Sequence, residues 1–260
     1  MLTQIQAVGA KLPSIDARSD RYHLRLARTE AEIDAVLKLR FDVFNLELGE
    51  GLDSAYAEMR DRDRFDQHCL HLLVDDTTTA KTIGTYRLIP YAIGREHGFY
   101  SDDEFVLADL PATTLRQSIE LGRACIAAEH RNTRVLYLLW LGLARYMQAS
   151  GARYFFGCCS LTSQDPTEAL GVADFLDVNG HRRQDFRVRV RESYQLPMTS
   201  GITPARAPIP KLMRLYLQYG AEIVSEAAID RQFKTIDFLA LFDIESLDRR
   251  ARRLFGLDER

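Results

Sequence analysis

The sequence predicts an α/β fold in which helices cover both faces of a mixed β-sheet. Segments that alternate apolar and polar residues, typical of strands, are interleaved with segments whose apolar residues repeat at the helical period. Two apolar strands also flank the short polar segment 75–81, which is typical of an antiparallel hairpin. Neither GxGxxG nor GxxxxGK[ST] occurs, so a doubly wound nucleotide-binding fold is not favoured.

Composition indicates a globular protein of one large domain or two small ones, since the chain has 260 residues, 46% of them hydrophobic. A net charge of −3 argues against bulk binding of nucleic acid. The four cysteines form no CxxC pair, as expected for reduced thiols in the cytoplasm. The first residues lack the pattern of a signal peptide, and no apolar segment is long enough to cross a membrane.

The N-terminal part begins with a weakly patterned segment, 1–20, that we expect to be a flexible arm. Residues 22–27 alternate and predict the first strand. Thr29 and Glu32 have the spacing of a capping box, which predicts a helix reaching about residue 45. A loop or broken helix is expected over 46–59 because of its two glycines.

Several charged side chains stand at unexpected positions. Arg40 falls on or beside the apolar stripe of the first helix, either as a snorkelling arginine or as an anion-binding group facing a cleft. Arg87 lies inside an apolar strand. The mixed-charge run 61–66 is expected to be a solvated surface. His68 and His71 lack an obvious third ligand, so a metal site is not predicted.

The strands 70–74 and 82–89 form the predicted hairpin, and an irregular loop is expected over 91–117. The next strand, 118–126, carries Glu120 and Arg123 among apolar and small residues.

In a regular strand Glu120 and Arg123 would point to opposite faces, because side chains alternate with period two. Gly122 between them indicates a bulge, and one extra residue there would bring both charges to the same face. Two interpretations stay open. The two residues either form a structural ion pair under a core helix or supply a catalytic carboxylate with its partner.

A polar loop, 129–133, separates this strand from an apolar helix predicted over 134–148. Asn132 or Thr133 is suited to cap that helix. The helix is too short to span a bilayer, so we expect it to be buried in the core. Its N-terminus, with arginines beside it, is a natural phosphate site.

The remaining chain continues the alternation of strands and helices up to a proline-rich linker and a basic tail. The predicted elements are a strand at 153–159, a helix at 166–176, a strand at 186–194, a linker at 199–210, a helix at 211–219, strands at 221–229 and 235–242, and a basic helix at 245–255. We find no internal repeat.

Five short motifs, taken in order, carry a resemblance to a known family. They are RFDVF at 40–44, DRFD at 63–66, GTYRL at 84–88, FY at 99–100 and ELGR at 120–123. In this order they resemble the GNAT-fold acyltransferases that use acyl carrier protein, a group that includes the acyl-homoserine-lactone synthases. FGCCSL at 156–161 and IDRQF at 229–233 look like the ornithine N-acyltransferase branch of ornithine-lipid synthesis, once labelled hemolysin-like.

The resemblance covers roughly residues 22–255 and implies a GNAT-like, mostly antiparallel twisted sheet with a C-terminal α/β extension. It implies an acyltransferase core over 21–200 and an extension over 201–260 packed on that core. The implied reaction moves a long-chain, 3-hydroxylated acyl group from acyl carrier protein to the α-amino group of an amino acid, L-ornithine in this branch. Unlike the wider superfamily, the loop 129–133 has no glycine, which disfavours acetyl-CoA as the donor.

The resemblance also implies functional residues. Glu120 is implied as the base and Arg123 as its catalytic partner. The implied substrate-binding residues are Arg40, Phe44, Asp63, Phe65, Asp66, Arg87 and Phe99. The implied phosphopantetheine-binding residues are Arg131, Thr133 and Arg134. No metal and no tightly bound cofactor are implied, because the acyl donor is a co-substrate.

Alternative substrates and partners remain at this stage. Related enzymes acylate glycine or another amine, and the homoserine-lactone branch uses S-adenosylmethionine and makes a signal molecule. The expected partners are acyl carrier protein and the amino acid, with no nucleic acid. The arginines of the tail, at 249, 250, 252 and 253, would suit an acidic carrier protein, an anionic membrane surface at its cytoplasmic face, or solvent alone.

Overall fold

The computed structural model of the protein describes residues 13–197, 203–205, 208–247, 249–254 and 257. The chain forms two compact units. Unit one comprises Met1–Gly98, Ile119–Ala152 and Asp248–Arg260, and unit two comprises Phe99–Ser118 and Arg153–Leu247. The limits of these units differ from the predicted division into an arm, a core and an extension with boundaries at residues 20 and 200. That division stays a prediction.

Strands and helices alternate along the described chain, as the sequence predicted. The strands are β1 (Asp16–Ser19), β2 (Tyr22–Leu26), β3 (Leu70–Asp76), β4 (Lys81–Pro90), β5 (Ser118–Ile126), β6 (Tyr154–Leu161), β7 (Glu222–Ile223), β8 (Ala228–Asp230) and β9 (Thr235–Asp243). The α-helices are α1 (Glu30–Phe41), α2 (Ala55–Glu58), α3 (Tyr91–His97), α4 (Ala112–Arg116), α5 (Thr133–Ser150), α6 (Pro166–Val178), α7 (Lys211–Gln218) and α8 (Arg249–Leu254).

In unit one, β1 to β5 lie in sequence order, and each strand pairs antiparallel with the next. The hairpin of β3 and β4 confirms the predicted one. β1 lies within the predicted N-terminal arm, whose residues 1–12 are outside the described residues. This sheet positions the charged side chains of β4 and β5 described below.

The first helix confirms its predicted capping box. The Thr29 hydroxyl accepts a hydrogen bond from the Glu32 backbone N–H at 3.2 Å, and the Glu32 carboxylate accepts one from the Thr29 N–H at 2.9 Å. The helical path does not stop at Phe41, because a π-helical segment, Asp42–Glu47, follows directly. After the π-helical segment ends at Glu47, residues 48–59 contain one short helix, α2, in agreement with the predicted loop or broken helix.

The apolar helix α5 buries one face against the sheet of unit one, whereas the prediction had the whole helix buried. Val135, Leu138 and Leu143 are buried, but Ala149 and Ser150 are exposed. Asn132 caps it, because its side chain accepts hydrogen bonds from the N–H groups of Arg134 and Val135. Gly142 faces the side chains of Leu24 and Leu72. A glycine at this position lets the helix approach β2 and β3 closely.

In unit two, β6 and β9 pair antiparallel along their full lengths, and β7 and β8 both pair with β9. The helices α6 and α7 each pack an apolar face against this group of strands. The core contains Val172 and Leu176 of α6, Met213 and Leu217 of α7, and Phe238 of β9.

The predicted strand at 186–194 is wrong. Its alternation is real, since Val188 is buried and Arg187 and Arg189 are exposed. Its backbone, however, bonds to several different segments: the Val188 N–H donates to Val224 and the Arg191 N–H to Glu104. No single partner strand is available, so a ladder does not form, and the segment ends in a 3-10 helix at Glu192–Tyr194.

Three other predicted elements differ in detail. The expected loop at 91–117 contains α3, α4 and two short 3-10 helices. The expected strand at 221–229 is divided into β7 and β8. The basic helix is shorter than predicted and forms α8. The side chains of residues 250, 254 and 255 in that tail, and part of the predicted linker, lie outside the described residues.

None of the described helices has the length and apolar character needed to cross a bilayer.

The close approach of α5 to β2 and β3 at Gly142 leads to a prediction about stability. A Cβ atom there would lie 3.0 Å from Leu24 Cδ2 and 3.1 Å from Leu72 Cδ1, so Gly142→Val would overpack the contact. We expect the free energy of unfolding to fall by about 1–3 kcal/mol in urea denaturation. Ala149→Val, on an exposed position of the same helix, is the control and should cost only a few tenths of a kcal/mol. Equal losses in both variants would contradict the close packing.

Candidate active site

The charged run 61–66 lies in the interior of unit one, where it binds Arg40. The Arg40 side chain is fully buried. Its Nε donates to Asp61 Oδ2 at 2.7 Å, and its two terminal nitrogens donate to the two carboxylate oxygens of Asp66 at 2.7 and 3.2 Å. The prediction of a solvated surface for this run is therefore wrong, because two of its carboxylates neutralise a buried guanidinium.

Two further arginines join the same carboxylates. Arg87 Nη1 donates to Asp63 Oδ2 at 2.6 Å and to Asp66 Oδ1 at 3.2 Å. Arg123 Nη2 donates to Asp63 Oδ2 at 3.3 Å, and Arg123 Nε lies 3.2 Å from Asp61 Oδ2. Three guanidinium groups thus meet three carboxylates, and we call this set the Arg–Asp network: Arg40, Arg87, Arg123, Asp61, Asp63 and Asp66.

Local backbone contacts place the carboxylates. The Asp61 N–H donates to the Leu37 carbonyl of α1 at 3.1 Å. The Asp63 N–H donates to Asp66 Oδ2 at 2.8 Å, and the Phe65 N–H donates to Asp63 Oδ1 at 2.9 Å. Short polar side chains favour such turns because they bond to nearby backbone. The turn presents its carboxylates to α1, β4 and β5 at once.

Two carboxylates of the network, Asp63 and Asp66, stay ionised. Burial alone would raise the pKa values of Asp63 and Asp66, but the neighbouring guanidinium groups outweigh it and hold both below their usual range. Burial lowers the pKa of His71 to about 4, even with the Asp66 carboxylate nearby. His71 is therefore neutral near pH 7, and its Nε2 lies 3.3 Å from the Asp66 carbonyl oxygen, to which it donates.

The predicted bulge in β5 is confirmed. Thr85 pairs with Cys125, while Arg87 pairs with Gly122, so β5 has one extra residue between these pairs. Arg123, not Gly122, takes the left-handed backbone conformation, with a φ of 48°. The extra residue shifts the alternation of side chains, and Arg123 meets Asp63, as Arg87 does. That Glu120 shares a face with Arg123 stays a prediction.

Glu120 is buried, with an exposed fraction of 2%, and pairs with Ile89 across the strands. It lies close enough to Cys69 to influence it. Burial raises the pKa of the Cys69 thiol, and the carboxylates of Asp66, Asp63 and Glu120 add to the rise. A buried carboxylate beside other carboxylates is a candidate for proton transfer.

The aromatic residues of the prediction lie in different places. Phe65 is buried, with the guanidinium of Arg64 at 4.3 Å and that of Arg87 at 5.7 Å from its ring centre. Phe44 is buried on the π-helical segment. Phe99 is buried in unit two, where its ring meets Phe156 edge to face at 5.4 Å.

The residues predicted to meet the donor phosphate lie at the start of α5. Arg131 forms a two-pronged ion pair with Glu47 and donates from Nε to the Ile126 carbonyl at 2.9 Å. Arg134 donates to Asp20 at 2.8 Å and is largely exposed. Thr133 is the exposed first residue of the helix. The three residues share this end of the helix, and both arginines have carboxylate partners.

A polar cluster in unit two was not predicted. Single ligand atoms of Glu104, Cys158 and Asp237 lie within 4.8 Å of one another, a spacing that suits a cation. Cys158 Sγ lies 3.5 Å from Ser101 Oγ and 3.6 Å from a Glu104 oxygen. The residues are far apart in the sequence and follow no ligand motif, so only the folded chain reveals the cluster. Asp61 was not predicted to be a site residue for a similar reason, because a run of charged residues usually indicates a solvent-exposed segment.

Comparison with known proteins shows the family to which the chain belongs. Residues 39–141 match the model of the acetyltransferase (GNAT) domain. The L-ornithine N(alpha)-acyltransferase of Rhizobium meliloti (strain 1021) is 34% identical over 267 residues, covering 97% of this chain and 90% of that protein. The protein of the same name from Brucella abortus (strain 2308) is 35% identical over 253 residues, covering 90% and 89%.

A solved structure shows the same fold. The CoA-dependent acyl-homoserine lactone synthase BjaI, solved with MTA, aligns with a TM-score of 0.51 and 12% identity, covering 88% of this chain and 84% of that one. The likeness supports the predicted GNAT-like architecture, and the sequence identity to the ornithine enzymes supports the predicted branch. The chain therefore belongs to the L-ornithine N(alpha)-acyltransferase family and is a GNAT-fold acyltransferase.

Proposed function

We propose that the protein transfers a long-chain, 3-hydroxylated acyl group from acyl carrier protein to the α-amino group of L-ornithine, which gives a lyso-ornithine lipid. The observation that carries the proposal is the 34% identity to an L-ornithine N(alpha)-acyltransferase over 97% of the chain. The buried Arg–Asp network and Glu120 supply the charged groups that such a reaction needs.

The first chemical requirement is a free amine. An α-amino group is largely protonated near neutral pH and must lose its proton before it attacks a thioester. Glu120 is the proposed base, acting directly or through one water. Glu120 is buried on β5, with an exposed fraction of 2%, which shields the carboxylate from bulk water.

The second requirement is stabilisation of the thioester oxygen as negative charge develops on it. Backbone N–H groups are suited to this when the chain holds them in fixed directions. The bulge at Gly122 and Arg123 interrupts the strand pairing and is the proposed source of these donors. It lies on the same strand as Glu120, which brings base and donors to one element.

The third requirement is recognition of the amino acid, for which the three arginines contribute differently. Arg40 donates from Nε and from both terminal nitrogens to Asp61 and Asp66, so all three of its nitrogens are used and we assign it to anchoring these carboxylates. Arg87 Nη2 lies 4.0 Å from the position of a Cβ on Gly122, beside the bulge. Arg87 and Arg123 are therefore the proposed receptors of the substrate carboxylate, for which a guanidinium fork is well suited.

The acidic side of the site is proposed to receive the ammonium groups of the substrate. Asp63 retains 11% side-chain exposure, whereas Asp66 is nearly inaccessible at 1%. We therefore assign substrate contact to Asp63 and positioning of the arginines to Asp66. Phe44 and Phe65 of unit one are proposed to shape the apolar surroundings of the substrate. Phe99 belongs to unit two, and its predicted contact with the substrate stays a prediction.

The donor is proposed to bind at the start of α5, where Arg131, Thr133 and Arg134 meet its phosphopantetheine phosphate. The positive end of the helix dipole favours an anion there. Acyl carrier proteins are acidic, so the exposed arginines of α8 would complement them and accelerate association. An anionic membrane surface is the alternative partner for α8.

The proposal is tested by direct assay of the purified protein. We expect mass spectrometry to detect N-acylornithine when the protein receives 3-hydroxyacyl carrier protein and L-ornithine. Parallel reactions contain glycine, S-adenosylmethionine or the matching acyl-CoA. Product from glycine alone, or a homoserine lactone from S-adenosylmethionine, would overturn the ornithine assignment. Equal use of acyl-CoA would overturn the requirement for carrier protein.

Replacing the proposed base should separate chemistry from folding. We expect Glu120→Gln to keep its melting temperature while kcat falls by about 10²–10⁴-fold, because proton removal loses its acceptor. Glu129→Gln, on an exposed residue just beyond the same strand, is the matched control and should keep normal turnover. Full activity in Glu120→Gln would leave Glu120 with a structural role.

The different roles assigned to Arg87 and Arg40 lead to different expectations. Arg87→Lys keeps the charge and loses the fork, so KM for ornithine should rise while KM for the acyl donor stays near its normal value. A change confined to the donor would move Arg87 to the thioester side.

Arg40→Gln breaks the buried pairs instead, and the free energy of unfolding should fall by about 3–5 kcal/mol in denaturant titration. A stable Arg40→Gln protein with a raised KM for ornithine would contradict the anchoring role and return Arg40 to substrate binding.

A further inference from the structure

The backbone at Arg123 has an unfavourable conformation. Its φ of 48° lies in the left-handed region, which side chains of L-residues avoid and which glycine adopts readily. Gly122, directly before it, is not among the described glycines with positive φ. The sequence therefore places an arginine at the strained position of the bulge and the glycine beside it. Such a conformation persists only where surrounding contacts hold it.

The side chain of Arg123 supplies these contacts. Its Nε lies 3.2 Å from Asp61 Oδ2, and its Nη2 donates to Asp63 Oδ2 at 3.3 Å. Asp61 is the more deeply buried of the two partners, since its side chain is fully buried and that of Asp63 is 11% exposed.

Asp61 is itself fixed from two other directions. The same oxygen, Oδ2, accepts from Arg40 Nε at 2.7 Å, and the Asp61 N–H donates to the Leu37 carbonyl of α1 at 3.1 Å. Asp61 therefore connects the helix α1 to the bulge in β5 through one carboxylate oxygen.

The other oxygen, Asp61 Oδ1, is buried and has no hydrogen-bond partner among the described residues. A buried carboxylate oxygen without a partner reduces stability. An asparagine would fit the same space without a full buried charge. The presence of the costlier carboxylate is explained if its negative charge is needed to hold two guanidinium groups.

We propose that Asp61 is a positioning residue for acyl transfer, which holds the Arg123 guanidinium and thereby keeps the bulge of β5 in its left-handed conformation. The N–H groups of the bulge then point where the thioester oxygen develops charge. The catalytic part of this inference rests on the proposed function. The part that concerns the bulge conformation rests on geometry alone.

The kinetic test replaces the charge and keeps the shape. In Asp61→Asn we expect kcat to fall by about 10²-fold, as for a displacement of about 1 Å in a catalytic group. KM for the donor should stay within about twofold, because no residue proposed to bind the donor touches Asp61. KM for ornithine should rise together with the fall in kcat, because Arg123 is a proposed receptor of its carboxylate. Asp34→Asn is the matched control, since Asp34 forms a two-pronged pair with Arg60 on the surface of the same unit. A rise in KM without a fall in kcat would overturn the positioning role.

A second test needs no substrate. Hydrogen–deuterium exchange reports how firmly the amides of residues 122–124 are held. Exchange there should be faster in Asp61→Asn and unchanged in Asp34→Asn. Unchanged exchange in Asp61→Asn would overturn the inference. If the wild-type protein makes no N-acylornithine but the exchange result holds, the proposed function fails while Asp61 still holds the bulge.

A third comparison shows whether Asp61 acts through Arg123. Glycine adopts the left-handed conformation without the strain, so Arg123→Gly no longer needs the carboxylate there. Adding Asp61→Asn to Arg123→Gly should therefore leave exchange at residues 122–124 unchanged, a strong departure from additivity. An equal acceleration in both backgrounds would contradict the proposal. If Asp61→Asn does not fold, Arg123→Gln breaks the same ion pair from the other side and should accelerate the same amides.

Discussion

The buried Arg–Asp network is the interaction on which the rest of unit one depends. Burying one guanidinium without a partner is costly, and burying three is tolerable only if carboxylates meet each of them. Asp61, Asp63 and Asp66 do this within one turn of chain. The turn between α1 and β3 must therefore fold inward, although its composition resembles that of a surface loop.

This constraint joins elements that the hydrophobic core alone would position less strictly. Arg40 comes from α1, Arg87 from β4 and Arg123 from the bulge of β5, and each meets carboxylates of the same turn. Apolar packing tolerates small shifts, whereas a set of charged hydrogen bonds has narrow geometric limits. A reaction that needs a base and oxyanion donors on β5 gains from such a fixed frame. The left-handed backbone at Arg123 lies within this network, where its side chain meets Asp61 and Asp63.

Local sequence signals predicted many individual elements correctly. The capping box at Thr29, the hairpin of β3 and β4, the cap at Asn132 and the bulge near Gly122 all depend on a few neighbouring residues. The ordered motifs likewise identified the family. One element was predicted wrongly because its formation depends on partners far away in the sequence. The alternation at 186–194 resembles a strand, but a strand also needs a continuous partner, and its backbone bonds to several segments instead.

The sequence by itself thus determined the fold class, the family and most of the charged residues proposed for the site, since these follow from periodicity and from motifs within short windows. Only the tertiary structure decided which charges pair. It placed Asp61 between Arg40 and Arg123, gave the left-handed conformation to Arg123 in place of Gly122, and brought Glu104 and Asp237 together in unit two. The physical reason is that ion pairing depends on distance in space and on burial, and residues far apart along the chain carry no local signal of either.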